Sequence, residues 1–165
     1  MDFENPVTIR PAYREEWNYT MSLAYTVFMQ FEAPIYTDEG IRQFYEFITD
    51  ERLHAMFLNG EYYVLLAICD GRPVGMISLR ARTHISLLFV DADYHRRGIG
   101  RMLIQAMQQY IMEVHRGELT VSAAPYAVEF YHKMGFFDLG PQVSEHGILY
   151  TPMKWAVPCA EGAET

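Results

Sequence analysis

Between Leu87 and Leu103 the sequence reads Leu-Leu-Phe-Val-Asp-Ala-Asp-Tyr-His-Arg-Arg-Gly-Ile-Gly-Arg-Met-Leu: an apolar strand, a polar loop with two glycines, and the start of a long amphipathic helix. The N-terminus of a helix exposes about four backbone N–H groups and the positive end of its dipole. Gly98 and Gly100 remove the side chains that would hold a ligand away from those donors. Arg96, Arg97 and Arg101 add positive charge beside them, on a chain whose 13 Lys+Arg face 21 Asp+Glu, for a net charge of -8. This is an anion site of the pyrophosphate kind. A glycine pair before a helix also serves as a plain tight turn, and that reading stands beside it. Two phosphate-binding rivals fail on the residues. A Walker loop needs a lysine next to its last glycine, and none stands near. A Rossmann fingerprint needs a third glycine, after an N-terminal parallel strand, and Leu103 stands in its place.

The flanking pattern builds a mixed α/β fold. Alternation predicts a short strand over 7–10, ended by Pro11, and helical spacing predicts a helix over about 14–31, ended by Pro34. A second helix is predicted over 38–48, with Thr37 as N-cap; residues 50–60 are ambiguous. Strands over 61–69, 74–79 and 84–90 follow as an antiparallel meander, the first two joined by Asp70-Gly71-Arg72-Pro73. Then come a helix over 100–114, a strand over 119–122, and a short helix opened by Pro125 and closed by Gly135 as a left-handed cap. A last strand is predicted over 147–155. One domain over 1–157 is expected, with 158–165 a flexible tail.

Composition excludes several classes. The acidic balance opposes nucleic-acid binding, which needs cations to displace phosphate counterions. The longest aliphatic runs, 64–69 and 85–90, are far short of the roughly 20 residues that a bilayer requires. Asp2 and Glu4 precede the first basic residue with no apolar run behind them, so no signal peptide is expected. Cys69 and Cys159 stand far apart with no cysteine–histidine cluster, which argues against a disulfide framework, against a metal, and for the cytoplasm. His132 and His146 lack ligand-spaced partners. The methionines, among them Met21, Met29, Met56 and Met76, read as core filler, and Trp17, Tyr36, Tyr45 and Phe57 as apolar helix faces.

The strand–loop–helix stretch, followed about 25 residues later by Ala127-Val-Glu-Phe-Tyr-His-Lys-Met-Gly-Phe136, resembles the GNAT superfamily of acetyl-CoA-dependent N-acetyltransferases over nearly the whole chain. The resemblance implies a mostly antiparallel sheet flanked by helices, and acetyl-CoA as co-substrate without a metal. It places the pyrophosphate on Arg96, Arg97, Gly98, Ile99, Gly100 and Arg101, and the pantetheine arm along Leu88, Phe89 and Val90. It also implies that this strand splays from the next, often at a bulge, with the thioester in the gap. Tyr131 takes the position of the tyrosine that protonates the CoA thiolate. An unperturbed phenol titrates near 10 and holds its proton at neutral pH, which suits an acid; as a plain core aromatic, Tyr131 would need no such role. Two positions depart from the family pattern: His95 stands for the usual Gln or Arg, and Ala124 for an asparagine.

The acceptor is expected to be a small-molecule or peptide amine, attacking the thioester directly in a monomer or homodimer. The proton acceptor is open among His84, Glu118 and ordered water. A CoA-binding sensor or scaffold without turnover is the alternative function.

Overall fold

In the computed structural model, which describes residues 5–158, strand β1 (Thr8–Pro11) leads through a 3-10 turn into helix α1 (Trp17–Phe31). Pro11 ends the strand from within it. It pairs with Leu65 on the edge of the sheet, where a missing N–H costs no ladder bond. Helix α2 (Asp38–Ile48) starts where Thr37 Oγ1 accepts the Gly40 N–H at 3.2 Å, a side-chain cap for an orphan donor. The ambiguous stretch becomes α3 (Glu51–Leu58), capped by Asp50, whose carboxylate accepts the Arg52 N–H at 2.8 Å. Two turns are too short to show a periodic stripe, and local bonding alone would leave them marginal. Tertiary contacts hold the helix instead: Leu53 is buried, His54 stacks on Trp17 at 5.1 Å, and Phe57 lies tilted against the same ring at 4.9 Å.

Three antiparallel strands follow, β2 (Tyr63–Cys69), β3 (Arg72–Arg80) and β4 (His84–Val90), then α4 (Ile99–Glu113), β5 (Glu118–Ala123) and α5 (Val128–Lys133). Pro125 opens a 3-10 turn and α5 begins only at Val128; Gly135 closes it at φ +93°. The expected last strand is β8 (Ile148–Ala156), and two short strands escaped the sequence reading, β6 (Phe137–Asp138) and β7 (Val143–Glu145). His146 and Gly147, both at positive φ, form the two-residue turn between β7 and β8, as a tight hairpin requires. The sheet order is β1-β2-β3-β4-β5-β8-β6, with β7 pairing β8; it is antiparallel except between β4 and β5.

Helices cover both faces, so the central strands read as continuous apolar runs rather than alternating ones. Val64 and Leu66 of β2 face the core under α1–α3, while Leu65, Ala67 and Cys69 face the core under α4 and α5, since successive side chains of a strand point to opposite faces. Met21 and Met76 are buried as expected, but Met29 and Tyr45 are exposed on the helix surfaces.

The β4–β5 junction decides where a site can form. These strands pair only at His84–Thr120 and Ile85–Val121, and then separate. On the other side of β4, Ser78 pairs with Leu87 and Leu79 with Ile85, so Ser86 is an extra residue, a bulge that bends the strand. Three hydroxyls hold it. Tyr62 Oη lies 2.6 Å from both Ser78 Oγ and Ser86 Oγ, which are 2.8 Å from each other. In such a ring each hydroxyl can donate once and accept once, so all are satisfied. Burial pushes the Tyr62 phenol up to about 12. Tyr62→Phe is expected to lower the unfolding free energy by about 1–3 kcal/mol, because buried Ser78 and half-buried Ser86 each lose a partner; a shift of the urea midpoint at unchanged slope measures it.

Candidate active site

Where β4 ends, Asp91 caps a 3-10 turn at Ala92–Tyr94 by accepting the Asp93 N–H at 2.9 Å. The His95 imidazole Nε2 then donates to the Val90 carbonyl at 2.7 Å, tying the loop back to the strand it leaves. Arg96 and Gly98 both have positive φ, 65° and 76°. A Cβ on Gly98 would meet nothing within 4 Å, so conformation rather than space calls for glycine there. The first bond of α4 runs from the Met102 N–H to the Gly98 carbonyl at 3.0 Å. The N–H groups of Ile99, Gly100 and Arg101 therefore have no partner within the helix.

A cavity of about 560 Å³ lies over this helix end. Leu88, Phe89 and Val90 of β4 line it together with Arg96, Gly98, Ile99, Gly100, Arg101 and Tyr131. Arg97 is the sequence-predicted residue that stays out, its guanidinium lying 5.0 Å over the Tyr94 ring. Beyond Ile85 the β5-facing edge of β4 has no strand beside it, which leaves main-chain donors and acceptors for an extended ligand.

A second cavity, of about 600 Å³, lies on the other side of the gap, and Leu88, Phe89, Tyr126, Ala127 and Tyr131 line both. Aromatic side chains from α1 and α2, Phe28, Phe44 and Phe47, wall it, and the β7–β8 hairpin closes one side through Glu145, His146 and Tyr150. That hairpin rests on α2: a Cβ on Gly40 would come within 2.5 Å of the Gly147 carbonyl oxygen, so both backbones approach only because Gly40 has none.

Tyr131 is 4% exposed and packs edge-on between Phe130 and Phe136, at 5.3 and 5.2 Å. Burial, and then the negative charge of Glu32, push its phenol well above the usual range, so it keeps its proton throughout the neutral region. His84 lines the second cavity. Its Nδ1 lies 2.8 Å from Thr120 Oγ1. Burial and the Arg80 charge lower its pKa, so it is a neutral imidazole at pH 7. Glu118 belongs to neither cavity and pairs with Lys154 at 3.1 Å. Ala124, the position without asparagine, lines the second cavity and gives its 3-10 turn no side-chain cap.

Sequence reading missed Glu32. This carboxylate follows α1, lines the second cavity and accepts the Tyr36 hydroxyl at 3.1 Å. Burial raises it to about 6, against the lowering effect of its bonds from Tyr36 and Tyr126. The signal was present: Glu32 stands four residues beyond Phe28, a charge on the stripe that the rest of α1 buries, and residues four apart share a helix face.

Among the described residues no group of three His, Cys, Asp or Glu is placed to hold a metal ion, and no helix is long and apolar enough to cross a membrane. Cys69 is a buried thiol, and Cys159 lies outside the described residues.

Residues 32–157 match the family model of the acetyltransferase (GNAT) domain. Over 73 residues the chain is 38% identical to the uncharacterized N-acetyltransferase YafP of Escherichia coli K12; the match takes in 44% of this chain and 45% of that one, less than half of the relative's length. A GCN5-related N-acetyltransferase from Rhodopseudomonas palustris superposes with a TM-score of 0.79 at 29% identity, covering 94% of this chain and 99% of that one. The PaiA N-acetyltransferase of Thermoplasma acidophilum, solved in complex with coenzyme A, gives 0.76 at 20% identity, covering 92% and 99%. Matched over most of its length, with a splayed β4 and a glycine-led helix end lining one of its cavities, the chain belongs to the GNAT acetyltransferase family.

Proposed function

We propose that the protein transfers the acetyl group of acetyl-CoA to a primary amine by direct attack, with Tyr131 as the general acid. The observation that carries this reading is the meeting of two cavities at the β4–β5 gap, with one buried phenol lining both. The diphosphate sits on the N–H groups of Gly98–Arg101, helped by Arg96 and Arg101 at the rim and by Arg97 from outside it. The pantetheine arm lies along Leu88–Val90, adding to β4 as a strand would. The thioester then faces the second cavity, where the amine enters. The amine lone pair attacks the carbonyl carbon, the C–S bond breaks, and Tyr131 gives its proton to the departing sulfur. A coenzyme A complex of a structural neighbour supports the choice of co-substrate.

Coenzyme A is expected to raise the melting temperature, since a ligand at 100 times its Kd adds about 2.7 kcal/mol to stability. Calorimetry should show one site per chain, and acetyl-CoA with an amine should release free thiol. Binding without thiol release for any amine would point to a sensor or scaffold; no binding at all would remove the assignment.

A further inference from the structure

Resting on that reading, we infer that Glu32 receives the ammonium group of the acceptor and takes its proton, and that the acceptor is a monoamine on an aromatic or aliphatic body. The geometry has three parts. First, Glu32 lines the cavity that meets the thioester gap, and its charge acts on Tyr131 itself, so both groups address one reaction centre. Second, its neighbours are hydroxyls rather than cations. Tyr36 donates from the 3-10 turn after α1, and Tyr126 stands beside it from the turn before α5. No ion pair among the described residues involves it. A half-buried carboxylate held by neutral donors is short of a counter-charge, and an ammonium supplies one. Third, the walls beside it are apolar. Phe28 stacks on Phe44 at 3.8 Å, and Tyr36 lies against Phe28 at 5.5 Å. Such surfaces suit a hydrocarbon body and a cation held over ring faces.

The other charged groups of this cavity serve it less well. His84 bonds Thr120 and lies in the field of Arg80, a cation that repels an ammonium. On the hairpin, Glu145 accepts the Tyr150 hydroxyl at 2.9 Å, and His146 lies within 3.9 Å of both Glu145 and Glu39.

The proton count closes. Of three protons on the ammonium nitrogen, one remains on the amide. One goes to the Glu32 carboxylate and on to solvent, freeing the lone pair for attack. The third leaves when the tetrahedral adduct collapses, and replaces the one that Tyr131 gave to the thiolate. The products are amide, coenzyme A and one released proton.

The test uses the full chain with acetyl-CoA and three probes: 2-phenylethylamine, spermidine and glycine. We expect phenylethylamine to give kcat/KM at least tenfold above glycine, whose own carboxylate would lie beside Glu32, and above spermidine, whose further charges would meet the apolar walls. Wild-type kcat/KM should rise with pH through about 6, where Glu32 loses its proton. Glu32→Gln should lower kcat at least tenfold, raise KM for the amine, remove that rise, and leave coenzyme A affinity unchanged. Tyr36→Phe deletes a bond that holds the Glu32 pKa down, so it should move the rise to higher pH, which a structural role would not do. Turnover with the rise intact in Glu32→Gln overturns the inference while leaving acetyl transfer standing, as does a preference for glycine or spermidine. A wild-type chain that binds coenzyme A but acetylates none of the three overturns the inference, and if no amine of a wider panel releases thiol, acetyl transfer falls with it.

Discussion

Tyr131→Phe should lower kcat by about 10²–10⁴-fold, the usual worth of a positioned acid, while coenzyme A binds as before. The substitution removes one oxygen and leaves the ring between Phe130 and Phe136, so the melting temperature should hold. In wild type, burial and Glu32 raise the phenol above its ordinary value near 10. The acid form is the active one, so a raised pKa extends the active range upward, and kcat should show no alkaline fall below about pH 10. Rapid-quench measurement of the chemical step, with thiol release for the steady state, separates this loss from slow product departure. Equal turnover by the phenylalanine variant would leave Tyr131 as a core aromatic.

Gly100→Asp should weaken coenzyme A binding by about 10²–10³-fold without harming the fold. A Cβ at Gly100 would meet only the Phe130 ring, at 3.5 and 3.7 Å, which is ordinary contact. A carboxylate in the first turn of α4 also favours the helix dipole by about 0.3–1 kcal/mol, so stability should hold or rise. For a diphosphate the same charge is repulsive. At about 4 Å and an effective dielectric near 20, two unit charges cost about 4 kcal/mol, or roughly 10³ in Kd. Calorimetry beside a thermal melt reads both effects. Undiminished affinity would mean that the diphosphate lies away from this helix end.

The parts of the fold legible in the sequence are those written in short windows. Thr37 announces α2, the glycines and arginines before Met102 announce the start of α4, and Gly135 announces the end of α5. Each is a local backbone requirement that neighbouring residues meet on their own. Helix α3 was illegible because two turns gain little from local bonding and depend on Trp17. Strands β6 and β7 were missed because each is too short to alternate, and His146-Gly147 is not the usual Asn-Gly hairpin signal.

The candidate site divides the same way. Its loop was legible in the glycines and arginines themselves, while Leu88–Val90 and Tyr131 were named through the resemblance to the GNAT superfamily. Glu32 was not, because its meaning lies in Tyr126, Tyr131 and the walls that enclose it. Sequence by itself determined the order of strands and helices, through their apolar patterning, and the donor-rich helix end, through glycine and arginine placement. Tertiary structure alone decided the gap between β4 and β5. Tyr62, Ser78 and Ser86 are 8 to 24 residues apart along the chain, and only folding gathers their hydroxyls around the bulged residue. Burial of Tyr62 and Ser78 then forces their hydroxyls to bond one another and Ser86, and in doing so they fix the bend in β4 that lines the second cavity.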